Sequence, residues 1–124
     1  IPRDLALLFS SLEVLKFDYV NFKGSIPSEI GMLTQLERLD LDNNDLSGVV
    51  PTKLGLLTNL KWLYLYNNRL SGQVPSELGD LSQLERLSIR SNDLTGTMPE
   101  EVCRLRTPSG TLSWLLLTAR RRCS

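Results

Sequence analysis

The stretch Leu60-Lys61-Trp62-Leu63-Tyr64-Leu65-Tyr66-Asn67-Asn68 decides how this chain folds. It reads Leu-x-x-Leu-x-Leu-x-x-Asn. The alternation around Leu63 and Leu65 is that of a short strand with one face buried, so Trp62, Tyr64 and Tyr66 point away from the leucines. The unit recurs. Its opening leucines are Leu12, Leu36, Leu60 and Leu84, each step being 24 residues. The same step relates Leu15, Leu39, Leu63 and Leu87, then Phe17, Leu41, Leu65 and Ile89, then Asn44, Asn68 and Asn92. It also relates the pairs Ile26-Pro27, Val50-Pro51, Val74-Pro75 and Met98-Pro99, followed by Ile30-Gly31, Leu54-Gly55 and Leu78-Gly79. A lone unit has no partner for its apolar edge, so the units must stack.

Each column has a physical role. Strands of successive copies pair in parallel, about 4.8 Å apart. The asparagine stands where the chain leaves the strand, and its amide can satisfy backbone groups of that turn. Stacked copies then form a ladder of Asn44, Asn68 and Asn92. The proline suits the first turn of a short helical segment, as in Pro75-Ser76-Glu77-Leu78.

Composition removes whole classes of function. Lys+Arg and Asp+Glu are both 14, so no global field favours nucleic acid, and the run Arg120-Arg121-Arg122 reads as a solvated tail. The chain has no histidine, which excludes His-assisted nucleophilic catalysis, and two cysteines do not make a metal site. Asp40 and Asp42 lie two apart, but acid–base work needs a dry pocket that an open sheet does not supply. The reading is therefore a non-enzyme without metal or cofactor. No apolar run approaches the roughly 18–20 residues that span a bilayer, so no membrane span is expected within the chain. Asn-x-Ser/Thr acceptor sites are absent too.

The pattern LxxLxLxxNxLxGxIPxxLGxLxx, seen almost complete in Leu60 to Gln83 as LKWLYLYNNRLSGQVPSELGDLSQ, resembles the plant-type leucine-rich repeat of plant and algal receptor-like and secreted proteins. The resemblance covers essentially the whole chain. It implies an α/β solenoid: a right-handed coil with a parallel sheet on the concave side and short helical or 3-10 turns on the convex side. Short extra strands around the Leu-x-Gly-x-Ile-Pro part are implied as well. One domain over 1–124 is expected, with a truncated repeat at 1–11, repeats at 12–35, 36–59, 60–83 and 84–107, and a terminal strand and cap at 108–124. In this reading the chain starts inside a repeat, with one residue inserted between Arg3 and Ser11. Val20 takes the asparagine column of the first repeat and Asn21 falls one place late, so that turn should be looser or shifted. At the other end Leu112 to Leu117 restores the motif four residues late. Paired cysteines at this end resemble the caps of extracellular repeat proteins, which implies a Cys103–Cys123 disulfide; two free thiols in a cytosolic protein are the alternative.

The motif is specific for fold and weakly specific for function. The function reading rests on the residues between the leucines. The third column gives Val14, Arg38, Trp62, Arg86 and Trp114, the fifth Lys16, Asp40, Tyr64, Ser88 and Leu116, the seventh Asp18, Asp42, Tyr66 and Arg90. Trp62, Tyr64 and Tyr66 should lie exposed on one strand, with Arg38, Asp40 and Asp42 to one side and Arg86 and Arg90 to the other. Such residues are enriched at binding hot spots, although cross-strand pairs that merely stabilise the sheet would look the same. The expected module binds a protein, peptide or glycan on its concave face, at the cell surface or outside the cell. A receptor-kinase ectodomain, a secreted inhibitor of wall-degrading hydrolases and a cytosolic scaffold are alternatives.

Overall fold

A computed structural model describes residues 1–106, the backbone of 114–116, and residue 123. The tail Arg120-Arg121-Arg122 and most of the expected cap lie outside the described residues. Each repeat opens with a three-residue strand, β1 (Val14–Lys16), β3 (Arg38–Asp40), β5 (Trp62–Tyr64) and β7 (Arg86–Ser88), and β9 (Trp114–Leu116) follows. Between them lie β2 (Lys23–Ser25), β4 (Asp45–Val49), β6 (Arg69–Gln73) and β8 (Asp93–Thr95). The odd strands form one parallel sheet in the order β1-β3-β5-β7-β9, and the even strands a second, β2-β4-β6-β8. Two short α-helices, α1 (Leu5–Leu8) and α2 (Glu100–Cys103), stand towards the two ends. The remaining turns are 3-10 segments at Ser28–Met32, Thr52–Leu56, Ser76–Asp80 and Arg104–Arg106.

The leucine columns make the core. Leu15, Leu39, Leu63 and Leu87 stand opposite one another across the first sheet, and the inward positions of the central coils, such as Leu41, Leu60, Leu65 and Leu84, are shut off from solvent. In the first coil Phe17 and Phe22 replace leucine and pack edge to face, ring centroids 5.1 Å apart. Three 3-10 segments follow Pro27, Pro51 and Pro75, whose fixed φ starts the turn from extended backbone. These prolines stand just before the segment rather than inside its first turn.

The asparagines tie coil to coil. Asn68 Oδ1 accepts from the Leu46 amide at 3.0 Å, while its Nδ2 donates to the carbonyls of Leu41 and Leu65 at 2.9 and 3.2 Å. Asn92 repeats this one coil on, with Leu70 N–H, Leu65 O and Ile89 O. Asn44 faces the first coil, where Val20 carries no amide. Its Oδ1 therefore takes two backbone donors, Val20 at 3.2 Å and Phe22 at 2.9 Å. That turn is shifted: Tyr19 and Asn21 both adopt left-handed backbone, whereas the next turns have only Asn43, Asn67 and Ser91 there.

Cys103 and Cys123 form a disulfide with Cα atoms 5.5 Å apart. It closes a loop of sequence separation 20, for which chain entropy gives about 3 kcal/mol. Cys103→Ser is expected to lower the denaturation free energy by that amount, and the same shift should appear when the wild type is reduced. Reduction without effect would show that the bond does not restrain the unfolded chain.

Candidate functional site

The outer face of the first sheet carries the candidate site. Its register places Val14, Arg38, Trp62, Arg86 and Trp114 in one row, and Lys16, Asp40, Tyr64, Ser88 and Leu116 in the next. Alternation along β1, β3, β5 and β7 puts their members of these rows on the face opposite the leucines. Tyr66 and Arg90 follow just beyond the strands, where pairing continues: Leu41 N–H donates to Tyr64 O, and Asn67 N–H to Arg90 O.

These side chains enclose a hollow of about 390 Å³ lined by Asp18, Tyr19, Arg38, Asp40, Asp42, Tyr64, Tyr66, Ser88 and Arg90. Of the residues expected from sequence, it gathers Arg38, Asp40, Asp42, Tyr64, Tyr66 and Arg90; Trp62 and Arg86 stand outside its lining. Asp18, Tyr19 and Ser88 complete it. Ser88 and Asp18 occupy the fifth and seventh columns and Tyr19 the position after Asp18, so their place was legible, but nothing in the columns says which members converge. A larger hollow of about 590 Å³, lined by Val49, Val50, Gln73, Val74, Pro75 and Glu77 among others, lies on the other side of the coils. It has no aromatic or arginine lining and is set aside as a binding site.

The aspartates differ from the sequence expectation. Asp40 and Asp42 are buried, at 4% and 5% exposure, and do not form an open acidic flank. The reason is local pairing. Arg38 lies along the face and donates from Nε to both Asp40 oxygens, at 3.1 and 2.9 Å, with a further contact at 2.9 Å. Asp42 accepts from Asn43 Nδ2 at 2.7 Å. The aromatic residues are half-buried rather than fully exposed. The Arg38 guanidinium sits 5.7 Å from the Trp62 ring and 5.5 Å from that of Tyr64, and Arg90 lies 5.0 Å from Tyr66. Tyr64 and Tyr66 meet edge to face at 6.4 Å. Cation–π contacts of this kind contribute about 0.5–1 kcal/mol each at exposed sites. The face is thus a lattice of mutually fixed rings and charges.

Its electrostatics follow from those contacts. The hydrogen bond to Asp40 raises the Arg38 pKa, against desolvation, so Arg38 stays charged. Burial pushes the Tyr66 phenol above its ordinary range; the hydrogen-bonded Asp42 carboxylate adds to the shift, and Asn43 opposes it. A phenol whose folded pKa is raised stabilises the fold fully below its unfolded pKa, about 10, and loses that contribution as pH rises through the folded value. Alkaline spectrophotometric titration should therefore show a late phenolate transition that Tyr66→Phe removes. A late transition that survives the substitution would place the shift elsewhere.

Among the described residues no cluster of His, Cys, Asp or Glu could hold a metal ion, and no helix is long and apolar enough to cross a membrane.

The leucine rich repeat family profile matches residues 34–94. No curated protein matches the chain by sequence. Solved structures do. The plant peptide hormone receptor RGFR1 in complex with RGF2 is 32% identical with a TM-score of 0.88, covering 94% of this chain and 18% of that one. The ectodomain of the receptor kinase SOBIR1 from Arabidopsis thaliana is 30% identical, TM-score 0.85, covering 97% and 62%. A plant ice-binding protein is 29% identical, TM-score 0.84, covering 95% and 44%. This chain spans less than two thirds of each. With its 24-residue coils, paired parallel sheets and asparagine ladder, the chain belongs to the leucine-rich-repeat family in its plant-type form.

Proposed function

We propose that this chain is a non-catalytic recognition module whose first sheet takes an extended peptide on its outer face, as part of the extracellular region of a receptor-like protein. The carrying observation is the hollow in which Tyr64, Tyr66, Arg38 and Arg90 converge, held by carboxylates that are already buried. Tyr, Trp and Arg are the residue types that dominate binding energy. Fixing them before the ligand arrives reduces the ordering that binding would otherwise require.

A peptide fits better than a glycan. Sugar rings stack on open aromatic faces, and here Arg38 lies over Trp62 and Tyr64 while Arg90 lies over Tyr66. The resemblance to RGFR1, a peptide hormone receptor, supports the reading. The fold alone does not carry it, because an ice-binding protein shares that fold. The likeness to the SOBIR1 ectodomain favours the receptor-kinase setting over the hydrolase-inhibitor one. The disulfide supports an oxidising compartment.

The test is selection of peptide binders on the wild-type chain from a random displayed library. Those binders are then measured on Trp62→Ala/Tyr64→Ala. Loss of two hot-spot residues should weaken binding by roughly 100-fold or more, with the coil still melting cooperatively. Equal affinity for the double variant would remove this face from the function.

A further inference from the structure

We infer that the Ser88 hydroxyl is the specificity-determining group of this face, reserved for a neutral hydrogen-bonding group of the peptide, a backbone carbonyl or a side-chain amide. The inference rests on the peptide-binding reading above. Ser88 is fully buried, and its Oγ is the only buried side-chain nitrogen or oxygen among the described residues without a hydrogen-bond partner. Buried hydroxyls are ordinarily satisfied, and the other buried polar side chains obey the rule. Asp40 has Arg38, Asp42 has Asn43, and Asn68 has backbone of two coils.

The exception sits in the candidate site. Ser88 lines the hollow with Tyr64, Tyr66 and Arg90. Among the described side chains of the same row, Lys16, Asp40 and Tyr64 are all larger than Ser88. Tyr64 stands directly across the register from it, and on this inference that ring swings aside as the ligand enters, because the hydroxyl is closed off from solvent in the free chain. The charges that line the hollow do not favour an anion: Arg38 is committed to Asp40 and Arg90 lies over Tyr66, while Asp18 and Asp42 add two further carboxylates. A neutral acceptor to which the Ser88 O–H donates a hydrogen bond meets both constraints.

Binders selected on the wild type from the random displayed library are the probe, measured on Ser88→Ala and Tyr64→Ala. Ser88→Ala should bind them about tenfold more weakly, the loss of one hydrogen bond. The same variant should melt higher by about 2–5 °C, because it removes an unpaired buried hydroxyl. A structural hydroxyl would do the opposite, so a lower melting temperature overturns the inference. It is equally overturned if peptides that lose binding on Tyr64→Ala keep full affinity for Ser88→Ala. That outcome leaves the peptide-binding reading of the face intact. A library that yields no Tyr64-dependent binder sinks that reading and this inference together.

Discussion

Gly55→Val is expected to remove upward of about 4 kcal/mol of stability, read as a large drop in the denaturation midpoint. A side chain on Gly55 would start in space already occupied by the next coil. Its Cβ would strike the Glu77 backbone carbonyl and lie 2.9 Å from the Glu77 Cβ. The obstacle is mostly main chain, so no rotamer change relieves it. The same contact recurs along the stack, Gly31 against Lys53 and Gly79 against Glu101. These glycines are required by how closely each 3-10 turn approaches the short helical segment of the next coil, not by backbone shape. Gly24 supplies the contrast. It has a φ of +82° and open space around it, so Gly24→Ala should show only the backbone strain, about 1–2 kcal/mol. Equal effects at the two positions would contradict the packing argument. The column ends at Cys103, where a side chain is present and bonds to Cys123.

Asn68→Ala should cost about 3 kcal/mol or more, the largest effect of any single ladder residue. Asn68 is the buried member of the ladder. Removing its amide orphans the Leu46 N–H, which has no other acceptor in the ladder, and takes one of two donors from Leu41 O and from Leu65 O. An orphaned buried donor costs about 1–3 kcal/mol, and each lost hydrogen bond about 1. Asn92 makes the same bonds in a half-buried setting, so Asn92→Ala should cost less. Equilibrium denaturation of both variants checks the order; equal losses would mean that burial does not set the effect.

The fold was almost wholly legible because its information is periodic. Leu39, Leu63 and Leu87 announce a buried row by spacing alone, and the register pairs them so. Ser88 and Asp40 show where legibility ends. Alternation places both on the outer face, correctly. It does not reveal that Arg38 folds down to cover Asp40, because that depends on which rotamer a long side chain finds among its neighbours. Nor does it reveal that Ser88 is fully buried beside Tyr64. The left-handed turn position was hinted by Asn43 and Asn67, which tolerate that backbone, but Tyr19 and Ser91 adopt it too. There the coil imposes its shape on residues that would not choose it.

The ladder also gives the stack a direction. Asn44 completes the turn of the coil before it, through Phe17 O, Val20 N–H and Phe22 N–H, and Asn68 and Asn92 do the same one and two coils on. Among the described residues, the coils of β1, β3 and β5 are therefore each finished by an asparagine of the coil that follows. Losing a coil at the β1 end leaves the neighbour's own turn closed, whereas losing one at the β9 end opens the turn behind it, and the next in sequence. Unravelling that begins at the β9 end is expected to spread further than unravelling that begins at the β1 end, which hydrogen exchange of the two ends would show. The covalent clamp between Cys103 and Cys123 sits at the vulnerable end.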